Sequence, residues 1–299
     1  MIPHPSFTET MSMHFLFLHH CRRPPAWSRA ETGLLLGAVA LLAVAWFGPA
    51  LPASVQQHDF ADLRTLWGIP CAMDVLSNLP FAFAGLYGLV VLRRVGPAMP
   101  DAASRASATL FFAGLLCTAA GSAVYHWQPQ DAGLLWDRLG MVLPFAGLLG
   151  LTAANRVSER SGWAVAAAVL LAGPLALLWW SYRGNLLPWA VVQFGGMSVV
   201  LVLAFVPRRA GALALYPGAV IALYALAKLF EAADHAVFGA TAQWVSGHSL
   251  KHVLAAGAAW PVLSALAALH SDRPGVSHTT MRSPWAQEST SQPQTGAGA

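Results

Sequence analysis

Eight apolar runs, at 33–51, 74–92, 106–127, 135–153, 162–182, 186–206, 213–230 and 249–269, alternate with short polar links. Each is roughly 18–22 residues, long enough to cross about 30 Å of hydrocarbon as a helix. Backbone groups in lipid find no water to bond, so a spanning segment must be a helix or part of a closed barrel. Strict apolar–polar alternation is absent, which rejects the barrel. The expected fold class is therefore all-α, a polytopic membrane helical bundle. Only 10% of the 299 residues are charged, and the mean hydropathy is +0.54. Soluble domains carry about 25% charged residues.

The net charge of +4 does not imply a nucleic-acid partner, because the basic residues are dispersed among the links. Their placement sets an orientation instead. With the N-terminus inside, the inner links and tails hold Arg22, Arg23, Arg29, Arg93, Arg94, Arg105, Arg156, Arg160, Arg208, Arg209, Arg273 and Arg282. The outer links hold only Arg64 and Arg183. This bias predicts that both termini are cytoplasmic. Residues 1–30, which include His4, His14, His19 and His20, and the Ser/Pro/Gln/Gly-rich 271–299 read as disordered tails. The run at 33–51 is expected to be a retained helix. Pro52-Ala53-Ser54 leaves signal cleavage as the alternative. Cys21, Cys71 and Cys117 form no CxxC pair, and no disulfide framework follows from them.

The chemistry-bearing stretch is GSAVYHWQPQDAGLLWDRL, residues 121–139. Ser122 and His126 are four apart and stack on one helix face. Asp137 lies eleven residues beyond His126, where the next run begins. Near the other end of the chain, GHSLKH again spaces two histidines by four, His248 and His252. In the predicted topology all of these groups sit at the outer side. Ionisable groups within spans are costly and usually paired or functional. Three histidines and a water are a common catalytic zinc set. The structural alternative is helix capping, or bridges from the histidines to Asp137 and Glu231. Arg138 has two readings, a headgroup contact or a partner of Asp137 or Asp131. Ala113, Gly114, Ala119, Ala120 and Gly121 read as a close-packing face.

The combination of GSAVYH, an aspartate eleven residues after its histidine, and GHSLKH resembles the alkaline ceramidases. That family sits in a wider superfamily with the adiponectin and progestin receptors and lipid-remodelling hydrolases. SNLPFAFAGLYGL, starting at Ser77-Asn78, resembles the first core helix of the ceramidases, and the likeness covers about residues 58–268. It implies a seven-helix core over 55–270 plus one N-terminal helix within 31–54. It implies His126, His248 and His252 as ligands of Zn2+, Asp137 as acid/base partner and Ser122 as oxyanion donor. It also implies a Ca2+ site before the first core helix. Cys71 stands where the family carries a glutamate, so weak calcium binding or none is expected, with Asp59, Asp62 and Asp74 as the remaining oxygen ligands.

The function expected from the resemblance is a zinc-dependent amidase cleaving ceramide or a related lipid amide within the bilayer. Its expected place is a bacterial inner membrane, with the site toward the outer side. A lipid ester hydrolase would use the same chemistry. A receptor-like or structural bundle stapled by zinc is the non-enzymatic alternative. A transporter predicts internal repeats and polar helix breaks at the midplane, and neither is visible in the sequence.

Overall fold

The computed structural model describes residues 26–271. The disordered tails expected at 1–30 and 271–299, with the four tail histidines, lie outside them except at 26–30 and 271, where Arg29 and Ala30 begin a helix and Ser271 ends one. Among the described residues every regular element is helical, and only two isolated bridges, Pro52 with Asn185 and Leu66 with Ile69, pair extended backbone. The helices are α1 (Arg29–Phe47), α2 (Ala72–Leu76), α3 (Leu79–Val95), α4 (Ala102–Trp127), α5 (Asp131–Arg156) and α6 (Glu159–Arg183). They continue with α7 (Leu187–Ala190), α8 (Gly196–Ala204), α9 (Pro217–Ala232), α10 (Asp234–Ala240), α11 (Gly247–Gly257) and α12 (Trp260–Ser271). Seven segments among the described residues are long and apolar enough to cross a membrane, as a multi-pass membrane protein requires.

One of the eight expected runs yields a helix shorter than the others. The run at 213–230 yields only α9, whose 16 residues reach about 24 Å. The chain before it is drawn against the end of α5. Asn155 Nδ2 donates to the Leu213 carbonyl at 2.8 Å, and Arg156 donates to the carbonyls of Val206 and Leu215 at 2.7 and 3.1 Å. Leu213 and Leu215 are therefore apolar because they are buried in a loop, and Pro217 starts the helix after them. The run at 186–206 is also interrupted: a π turn at Val191–Gly195 separates α7 from α8. Helix α1 begins four residues before the apolar run. Ser28 Oγ accepts from the Glu31 amide, and Glu31 Oε2 accepts from the Ser28 amide, a capping box. Glu31 also pairs with Arg160 at 2.7 Å and so ties α1 to α6.

Helices α4 and α5 form the centre of the bundle, and glycine sets their separation. A Cβ on Gly121 would lie 2.6 Å from the Trp136 carbonyl oxygen, and one on Gly140 would lie 2.7 Å from that of Cys117. Gly114 and Gly147 meet Pro144 and Phe111 just as closely. On each helix the two glycines are seven residues apart, two turns along one face. Backbone thus rests on backbone, as small residues permit in membrane helices. Below this seam Phe111, Phe112, Leu148 and Leu151 join Val262 and Leu266 of α12 in the main apolar core.

A candidate metal centre

His126 ends α4, and α11 brings His248 and His252 to meet it. One ring-nitrogen donor from each of the three lies within 4.8 Å of the others, and all three residues are buried. The ring centroids are 4.7, 4.9 and 5.0 Å apart. His126 Nε2 and His248 Nε2 are separated by 3.2 Å. Two ligands at about 2.0–2.1 Å from a tetrahedral ion stand about 3.3–3.4 Å apart, so this separation suits a shared metal. The same distance suits one imidazole N–H donating to the other ring's lone pair.

The tautomer of His252 follows from its neighbour. Ser77 Oγ donates to the Asp74 carbonyl at 3.0 Å, so its hydrogen is committed. It therefore accepts from His252 Nδ1 at 2.7 Å. A neutral imidazole has one N–H, which leaves the His252 Nε2 lone pair facing the other rings. Such outer hydrogen bonds orient metal-ligating histidines.

The first turn of α11 is held equally firmly. Asp234 Oδ1 accepts from the His248 amide at 2.7 Å, and Ser246 Oγ accepts from the Ser249 amide at 2.9 Å. These bonds satisfy two donors that a helix start leaves open, and the carboxylate complements the helix dipole. Asp234 Oδ2 also accepts from the Ala61 amide at 2.9 Å, which fixes the link before α2. That link carries Phe60, whose ring meets His126 and His248 edge-on, with centroids 4.8 and 4.6 Å away. His58 of the same link bonds Tyr125 and Asp131 at 2.9 and 3.0 Å. Gly247 permits the approach: a Cβ there would lie 2.8 Å from Asp234 Cα.

Ser122 and Asp137 face one another across the glycine seam, and both line one cavity. Its volume is about 490 Å³, within the usual range of ligand pockets. His248 and His252 open on it together with Arg138, Lys251 and Glu231. Its other end is lined by Phe111, Leu115, Phe145, Leu148 and Met197. Gln193 of the π turn lines it too, a common placement for such bulges. The five residues singled out in the sequence thus come together, with His126 closing the trio behind the cavity wall.

No protein-family model matches this chain, and no curated protein matches it. The chemistry is therefore read from the site itself. Three buried imidazoles with converging nitrogens can hold a metal ion. Among the described residues they form the only group of three or more His, Cys, Asp or Glu within such reach.

The acidic residues offered for calcium have other partners. Asp62 makes a two-pronged pair with Arg64, at 2.8 and 2.6 Å, which raises the guanidinium pKa. Asp74 Oδ1 accepts from Ser249 Oγ at 2.7 Å and Ser246 Oγ at 3.2 Å. Asp59 lies 3.6 Å from His235. Cys71 is buried at a left-handed backbone position, φ 44°. Nor does Glu231 bridge to the histidines: Lys251 at 2.9 Å and Lys228 both pair with it. Sequence spacing did not single out Ser77, Asp234 or Phe60 for the site, because each acts across a long chain separation.

Proposed function

We propose that this protein is a membrane-embedded, zinc-dependent hydrolase that cleaves ceramide or a related lipid amide to a long-chain base and a fatty acid. One observation carries the reading. Two histidines of the trio, a serine and an aspartate line one cavity, the third histidine meets them from behind its wall, and the other end of the cavity is lined with aliphatic and aromatic side chains. A metal staple needs the histidines but neither the cavity nor the serine–aspartate pair beside it. The motif resemblance to the alkaline ceramidases supports the same reaction class.

Zinc held by the three imidazoles supplies a Lewis acid that polarises a carbonyl and lowers the pKa of coordinated water toward about 7. The residues of the chain do the rest. Asp137 accepts the proton released as water adds to the amide carbon, then delivers it to the amine nitrogen as the C–N bond breaks. Ser122 donates its O–H to the carbonyl oxygen as that oxygen gains charge. Phe60 covers two of the imidazoles and limits bulk water. Phe111 and Leu115 of α4 and Phe145 and Leu148 of α5 receive the acyl chain along their cavity faces.

The decisive experiment is mass spectrometry of products from the purified protein with a mixed panel of lipid amides and esters, with and without chelator. Chelator-sensitive release of a fatty acid and an amine is the expected result. Release only from esters would make the protein a lipid ester hydrolase. No release from any lipid would leave a zinc-stapled or receptor-like bundle.

The arginine bias further supports both termini in the cytoplasm and the histidine trio near the outer face of a bacterial inner membrane. A C-terminal reporter should be active only in the cytoplasmic form. A reporter read outside the cell membrane reverses that orientation.

A further inference from the structure

Among the described residues three cations line the cavity, and two of them are paired. Lys228 and Lys251 both bond Glu231. Arg138 has no carboxylate within 4 Å among the described residues, and its buried Nη1 has no hydrogen-bond partner there. The acidic and polar groups around it are committed elsewhere. Asp131 accepts from Gln57 at 2.6 Å and contacts His58 at 3.0 Å. The Tyr125 hydroxyl donates to the Gln57 carbonyl at 3.0 Å. Asp137, the adjacent residue, faces Ser122. The guanidinium is nevertheless held in place, because its carbon stacks 4.3 Å above the buried Trp180 ring. A stacked guanidinium is preorganised to present its N–H fork to a planar or tetrahedral anion. A buried ionic N–H left unmatched is costly, so this position calls for an anion.

The position along α5 says which part of a substrate the anion belongs to. Asp137 and Arg138 are consecutive, at the end of the cavity near the α4–α5 turn. Pro144 and Leu148, which line the apolar arm, lie about 9 and 15 Å further down the same helix at 1.5 Å per residue. Asp137 and Arg138 thus share the polar end, with the apolar arm beyond both, so the scissile bond and the anionic group would lie together at that end and the acyl chain would run away from them.

We propose that Arg138 is a specificity residue for an anionic headgroup, so that the preferred substrates are acyl lipids bearing a carboxylate or phosphate rather than neutral ceramide. This refines the proposed hydrolase, and it rests on that reading only for the identity of the scissile bond.

Binding tests it independently of turnover. Full-length protein in detergent is titrated calorimetrically with N-palmitoylglycine against its uncharged amide, and with hexadecyl phosphate against hexadecanol. The parent should bind at least one anionic member about 10-fold or more tighter than its neutral twin, in line with a charge-assisted two-pronged pair. Which pair shows the difference separates carboxylate from phosphate. Arg138→Gln should shrink the difference to less than about 3-fold. Arg138→Lys keeps the positive charge and guards against a folding defect. It should reduce the difference by about 3-fold, because a point charge replaces the fork.

Equal affinities in the parent overturn the proposal. So does a difference that survives both substitutions, which would place the anion on the metal or the lysines. Displacement of the lipid by millimolar inorganic phosphate would show that a free anion suffices, and would overturn the lipid assignment. If the affinity difference holds but no lipid is turned over, the hydrolase reading fails and the headgroup site stands. Turnover without an affinity difference gives the reverse.

Discussion

Replacing any one of His126, His248 or His252 with alanine should remove bound zinc and reduce turnover to background. A catalytic site with three protein ligands has none to spare. Two remaining imidazoles would have to recruit a third donor, and among the described residues no Cys or carboxylate is grouped within the same reach of them. Asp234 holds the His248 and Ala61 amides, Glu231 holds two lysines, and Asp74 accepts from two serines. Ser77→Ala provides a graded control, because it removes the acceptor that fixes the His252 tautomer while leaving the ligand. Its expected cost is about 10–100-fold in zinc affinity. Elemental analysis of each purified variant reads both effects. Full zinc occupancy in all three alanine variants would remove the metal assignment and leave the 3.2 Å contact of His126 with His248 as an ordinary hydrogen bond.

Asp137→Asn should keep zinc and the fold while lowering turnover by roughly 10²-fold or more, the usual worth of a general acid–base group. The substitution preserves shape and removes the site that carries the proton. Among the described residues no hydrogen bond joins Asp137 to a histidine; its visible partner is Ser122. A loss of activity in Asp137→Asn therefore reports on chemistry and not on ligand orientation, provided zinc is measured in the same sample. Ser122→Ala should also retain zinc. Its turnover loss should be comparable or smaller, since one oxyanion donor is typically worth about 10²–10³ and the metal shares that charge. Parental turnover by zinc-loaded Asp137→Asn would overturn the proposed proton transfer.

The parts of this architecture that were readable in the sequence are those encoded locally. Apolar runs of spanning length announce helices. A four-residue spacing puts His248 and His252 on one face, and the short turn after His126 returns Asp137 to the same depth. Long-range partnerships had no such local signature. Leu213 and Leu215 extended an apolar run on paper, yet Asn155 and Arg156 hold that stretch as a loop. The groups that orient the trio come from elsewhere in the chain: Ser77 bonds a histidine 175 residues away, and Asp234 bonds Ala61 across 173. The start of α1 was legible in principle, since Ser28 and Glu31 have capping-box spacing. A reading by hydropathy alone passes over two polar residues outside the apolar run.

The glycine seam between α4 and α5 also decides which parts of the protein are able to move. Two backbones in direct contact at four levels leave no slack for sliding. A shift by one residue would replace hydrogen atoms with side chains against carbonyls and prolines. His126, Ser122 and Asp137 consequently travel as one rigid jaw. In the proposed hydrolase, admission of a lipid would fall to the opposite jaw, made of the Phe60 link and the α9–α11 segment. Asp234 pins those two pieces to each other through the Ala61 and His248 amides. Entry and site assembly would thereby be coupled in such an enzyme: a displacement that lifts Phe60 off the imidazoles would also pull on the turn that carries His248.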